Sequence, residues 1–95
     1  MHIQEFQDMM RQLYYHKDSK RGTGGTYEWL SDEVKELGEA LKSGDKEAIE
    51  SEFADVIAWL ASLANVVGIN LESATIKKYN WRCPKCQQSP CHCPF

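Results

Sequence analysis

No cysteine occurs before residue 83 in a chain of 95 residues, so no disulfide can staple the body of the fold. No apolar run approaches the roughly 20 residues needed to cross a bilayer. The start, Met1-His2-Ile3-Gln4-Glu5-Phe6, has neither the basic nor the apolar region of a secretory signal. Together these absences give the expectation of a cytoplasmic protein outside the membrane. Net positive charge is lacking too: the net charge of −3 leaves no electrostatic case for wrapping nucleic acid. Strand-like alternation of apolar and polar residues is also missing, which points away from a sheet.

What remains is an ordinary globular composition, 42% hydrophobic and 26% charged. So short a chain buries a limited core, so a metal or a partner subunit is expected to supplement it. Ile3, Phe6, Met9, Met10, Leu13 and Tyr14 recur at helical spacing and predict a first helix to about Tyr15. Residues 16–25 carry three glycines among polar residues and predict an exposed loop, with Thr26 as the next cap. A second helix follows over Tyr27–Lys42, striped by Leu30, Val34, Leu37 and Leu41 and ended by Ser43-Gly44. Asp45 is a natural cap for a third helix reaching Val67 and stopped by Gly68, and Asn70 for a fourth from Leu71 to about Trp81. The third is apolar over nearly its whole circumference, so it should be surrounded. The expectation is an all-α helical bundle completed by dimerisation, a homodimer or homotetramer in which Trp59, Leu60 or Leu63 meets its counterpart. Residues 1–82 would form the helical domain and 83–95 a separate cysteine-rich tail.

Asp55 is the only charged residue between Phe53 and Val67. An ionised carboxylate buried among apolar neighbours needs a partner. Glu52 lies three residues earlier, and Glu33 and Glu36 repeat that spacing in the preceding segment, so each pair can reach one cation from one helix side. Hard oxygen ligands of this kind suit Mg²⁺ or Mn²⁺, with Asp55 as the deepest of them, and magnesium so held usually keeps positions for water and phosphate. The implied substrate is a phosphate ester or anhydride. The alternative is that the glutamates are solvated and paired with Lys35 or Lys46; the apolar setting of Asp55 weighs against it.

Trp29-Leu-Ser-Asp-Glu33-Val-Lys-Glu36-Leu-Gly-Glu-Ala-Leu41, a short connection, then Glu52-Phe-Ala-Asp55-Val-Ile-Ala-Trp-Leu60 resembles the MazG-like all-α nucleoside triphosphate pyrophosphohydrolases. Their signature is Glu-Glu-x-x-Glu followed by Glu-x-x-Asp on adjacent helices. The likeness runs on through Leu63-Ala-Asn65-Val-Val-Gly68-Ile-Asn70-Leu71 and covers most of residues 29–82, departing at Asp32, where the family usually has its first glutamate. It implies Mg²⁺-dependent cleavage of the α–β phosphoanhydride of a nucleoside triphosphate, giving a monophosphate and pyrophosphate and clearing aberrant or surplus nucleotides. Glu33, Glu36, Glu52 and Asp55 would be ligands and catalytic groups, with Glu36 a candidate for a shared role as base.

The resemblance includes a lysine and an arginine four residues apart near the end of the last helix, here Lys78 and Arg82, which would clamp phosphates; cations at a helix C-terminus need no substrate to be favourable. The Lys20-Arg21-Gly22 stretch lacks the order of a P-loop and reads either as a lid with Lys20 or Arg21 on phosphate or as an ordinary solvent loop. His16 is a possible site residue or the polar end of the first helix. Among the aromatics, Trp29, one turn before Glu33, is the candidate for nucleobase contact, although aromatics at helical spacing usually serve packing.

Cys83-Pro-Lys-Cys86 and Cys91-His-Cys93 put four thiols in a short segment. They are expected to enclose a structural Zn²⁺, with disulfides, a redox pair or a disordered tail as the other readings. Two further functions compete with the first: a phosphoribosyl-ATP pyrophosphohydrolase-like enzyme and a non-catalytic zinc-tailed helical adaptor.

Overall fold

One break, at Gly22, decides the architecture. The computed structural model describes residues 1–94, and these form three helices and no strand: α1 (Ile3–Ser43), α2 (Lys46–Val67) and α3 (Leu71–Lys78). A straight helix of the 41 residues of α1 would run about 60 Å, yet the longest dimension of the molecule is 42 Å. The helix is folded back on itself at Gly22, whose φ of 80° and ψ of 179° are open essentially to glycine alone. Two arms result, residues 3–21 and 23–43, and α2 packs along both.

The exposed loop expected over residues 16–25 is therefore helical on each side of that single residue. Its interior is not solvent: Asp18 is 2% exposed and Thr26 is fully buried. Thr26 lies inside the helix and is not its cap. Glycine permits loop and helix alike, and burial of these two side chains decides between them.

Local signals elsewhere act as their chemistry requires. Gly44 takes the left-handed conformation that closes α1, and the Asp45 carboxylate accepts from the Glu47 amide at 3.1 Å to start α2. Gly68 closes α2 with φ of 74°, its amide and that of Ile69 donating back to Asn65 and Ala64. Asn70 accepts from the Ser73 amide at 2.9 Å to open α3. That last helix stops at Lys78, short of the expected Trp81, because Tyr79 is already extended.

A polar stitch fixes the first arm to the α2–α3 turn. The buried Gln7 side chain donates to Asn65 Oδ1 at 3.0 Å and to the Ile69 carbonyl at 2.7 Å, and its oxygen accepts from the Leu71 amide at 2.9 Å. Asn65 donates back to the Gln7 carbonyl at 3.1 Å. Gln4 adds a bond from Asn70 and one from its own amide to Glu72.

The apolar core is small. Met10, Ala40, Ala61 and Ala64 are its buried members, while Phe53, Ile57, Leu60 and Val67 of α2 stay largely exposed on the single chain. Thus α2 is not surrounded by its own chain. No single helix among the described residues is long and apolar enough to cross a membrane.

Candidate functional site

The second arm of α1 and the middle of α2 bring acidic groups together. Glu33, Glu36 and Glu52 each offer a carboxylate oxygen, and these oxygens lie within 4.8 Å of one another. Spacing explains half of this, since i and i+3 side chains share a helix side. Packing of the α1 arm on α2 supplies the rest. Glu33 is the interior member, at 9% exposure, while Glu36 is open to solvent.

Burial, then the negative charges of Glu36 and Asp55, then the adjoining Glu52 carboxyl push Glu33 up from its ordinary value near 4.5 to about 7. One oxygen of Glu33 and one of Glu52 are buried with no hydrogen-bond partner. Buried, unpartnered oxygens in a negative cluster are costly unless a cation meets them. The donor set is all carboxylate, as a hard divalent ion such as Mg²⁺ prefers. The residues present therefore fit such an ion.

Asp55 stands differently from its sequence expectation. It is exposed on the single chain, so Glu33 and not Asp55 is the deepest carboxylate. The apolar residues near it in sequence, among them Phe53 and Ile57, made its setting read as buried, yet these two are exposed as well. Asp55 still acts on Glu33 electrostatically and lines an adjoining cavity of about 310 Å³ together with Tyr14, Lys17, Arg21, Trp59 and Ser62.

One wall of that cavity is an aromatic and cationic stack. Trp59 lies parallel to Trp29, with ring centroids 5.3 Å apart and planes 6° from parallel, and the Arg21 guanidinium sits 4.8 Å from the Trp59 ring centroid. Arg21 is held there by Asp18 at 2.7 Å. Trp29 thus backs the wall without lining the cavity, and Trp59 presents the face.

Sequence reading passed over Lys17 and Asp18 because their segment resembled an outer loop, and it took Tyr14 as part of the apolar stripe of the first helix. The signal was present in the Asp18–Arg21 spacing, which suits an ion pair on a helix. Lys78 and Arg82 are not on one helix, since α3 ends at Lys78. They border a separate depression with Lys77 and Asn80, lined by none of the four carboxylates. Lys78 also lies 5.8 Å from the Tyr79 ring centroid. His16 is exposed.

In the tail, Cys83, Cys86, Cys91 and Cys93 form a second cluster, their sulfurs also within 4.8 Å of one another. The amides of Cys86 and Lys85 hold the Cys83 thiol below its usual value, and those of His92 and Gln88 bring Cys86 down to about 6. Cys93, crowded by Cys91, Cys86 and Cys83, is pushed up to about 12.

Comparison with known proteins adds one family. Residues 22–87 match the family model described as MazG nucleotide pyrophosphohydrolase domain, more than half of the chain and inclusive of all four carboxylates. None of the curated proteins matches it.

Proposed function

Because the chain belongs to the MazG nucleotide pyrophosphohydrolase family, we propose that it hydrolyses a nucleoside triphosphate between the α and β phosphates, releasing a monophosphate and pyrophosphate. The observation that carries this reading is the convergence of Glu33, Glu36 and Glu52 with unpartnered buried oxygens beside a cavity walled by Trp59 and Arg21. Glu33, Glu36 and Glu52 would hold Mg²⁺ or Mn²⁺, with Asp55 joining from the cavity side. When bound, that cation neutralises phosphate charge and lowers the pKa of a coordinated water.

The residues of the chain divide the remaining work. Glu36, the solvent-facing member, takes the proton from the attacking water. Arg21 keeps N–H donors free after pairing with Asp18 and, with Lys17, faces the phosphates across the cavity. The Trp59 ring, stacked on Trp29 and overlaid by the Arg21 guanidinium, supplies an apolar wall for the base to pack against. The acidic groups alone would repel a triphosphate, so these cations and the metal are needed together.

The exposed apolar residues of α2 supply an oligomeric expectation. Phe53, Ile57, Leu60 and Val67 recur at steps of three, four and seven residues, which is one helix side. We assign this side to a homodimer interface, in keeping with a core too small for the chain alone.

The test is pyrophosphate release from a panel of ordinary and modified triphosphates, with phosphoribosyl-ATP as a further substrate, in Mg²⁺ and in Mn²⁺. Turnover of a nucleoside triphosphate that vanishes in Glu33→Gln supports the reading. No release from any substrate would hand it to the helical adaptor.

A further inference from the structure

Past α3 the chain has no regular secondary structure up to residue 94, and little that would order it. None of the described residues 79–94 is buried, and Trp81 is 93% exposed. Two backbone bonds close one turn, from the Gln87 amide to the Cys83 carbonyl at 2.8 Å and from the Cys83 amide to the Gln88 carbonyl at 3.0 Å. Trp81 and Gln87 hold φ of 62° and 64°, left-handed conformations that cost a non-glycine residue free energy unless the surroundings impose them.

The sulfurs supply what could impose them. Cys83 and Cys93 are 3.8 Å apart, and so are Cys86 and Cys91. Four thiolates at about 2.3 Å from one ion would sit about 3.8 Å apart at the corners of a tetrahedron. A disulfide would need about 2.05 Å, and all four cysteines are free. Backbone amides also turn toward sulfur: His92 donates to Cys86 at 3.3 Å and Cys93 to Cys91 at 3.2 Å. Such bonds stabilise thiolate over thiol. The set holds only sulfur donors around a volume for one ion, with no open corner for substrate.

We propose that Cys83, Cys86, Cys91 and Cys93 bind one Zn²⁺ per chain as a closed structural site that orders residues 81–93. It is separate from the carboxylate cluster and independent of whether that cluster hydrolyses nucleotides. Each ligand enters as thiolate, so zinc binding releases the protons of those thiols that were not already ionised.

Elemental analysis of the full chain, purified in reductant without added metal, should find about one zinc per chain. Cys86→Ser combined with Cys93→Ser should lose more than nine-tenths of it while helical circular dichroism is kept, and Glu33→Gln should keep it all. Replacing zinc by Co²⁺ in the unmutated protein should give the visible bands of tetrahedral thiolate coordination, a readout that needs no variant. Stripping the metal with a strong chelator should speed tryptic cleavage after Arg82 and Lys85 at least about tenfold, as local order is lost. Iron in place of zinc, a mass deficit from paired disulfides, zinc retained in the double variant, cobalt bands of another geometry, or cleavage indifferent to the metal would each overturn the proposal.

Discussion

Glu33 combines interior placement with three acidic neighbours, and its titration makes the site testable without substrate. Its carboxyl is raised from near 4.5 to about 7. A raised carboxylate contributes stability that is complete below its unfolded value and lost as pH rises through the folded one. Metal-free protein should therefore melt at lower temperature at pH 8 than at pH 5. Mg²⁺ should narrow that difference, and its affinity should climb as pH passes about 7. A metal-free melting temperature that rises between those two pH values would contradict the assignment. Glu33→Gln separates the two roles: the metal-free variant should melt no lower than the parent at pH 8. Its turnover should fall more than about a hundredfold, since removing even outer partners of a metal ligand costs ten- to a hundredfold. Sequence spacing singled out Glu33, Glu36 and Glu52, which the structure brings together, but not their ranking by depth. Asp55 read as deepest because its sequence neighbours are apolar, and those neighbours face outward on the single chain.

Elements show where local chemistry is decisive and where it is silent. Gly44, Asp45, Gly68 and Asn70 bound their helices as read, because caps act within four residues of their own position. The Gly22 break is different, since glycine permits a loop as readily as a folded helix and only the burial of Asp18 and Thr26 selects one. The stitch between Gln7 and Asn65 joins residues far apart in sequence, so no local pattern announces it. Two substitutions test these features by urea denaturation. Gly22→Ala meets open space but an adverse backbone conformation, and should cost about 1–3 kcal/mol. Gln7→Ala removes the side-chain partner of the Leu71 amide, of Asn65 Oδ1 and of the Ile69 carbonyl, and should cost about 1–3 kcal/mol. Unchanged midpoints would remove Gly22 as the hinge and the stitch as a fastening.

At the scale of the whole molecule, sequence made the all-helical class legible and left the assembly to be argued from what stays uncovered. A third helix apolar all round implied something outside the chain, and the structure shows which side lacks a cover: Phe53, Ile57, Leu60 and Val67. Ile57→Asp combined with Leu60→Asp should reduce a dimer to a folded monomer, read by light scattering. A monomeric parent at micromolar concentration would contradict the interface. The separation of the acidic cluster from Lys78 and Arg82 was not legible, because the helical pattern runs past the point where Tyr79 turns extended. Arg21 and Lys17 line the cavity that Asp55 shares, so we propose them for phosphate contact, and Arg21→Ala should raise KM more than it lowers kcat if it binds ground state and transition state alike. The most direct measurement is the identity of the products. With a nucleoside triphosphate and Mg²⁺, the parent chain should give pyrophosphate and nucleoside monophosphate in equal amounts, and Glu33→Gln neither. Inorganic phosphate with nucleoside diphosphate, or equal turnover by the two proteins, would contradict a carboxylate-held metal acting at the α–β bond.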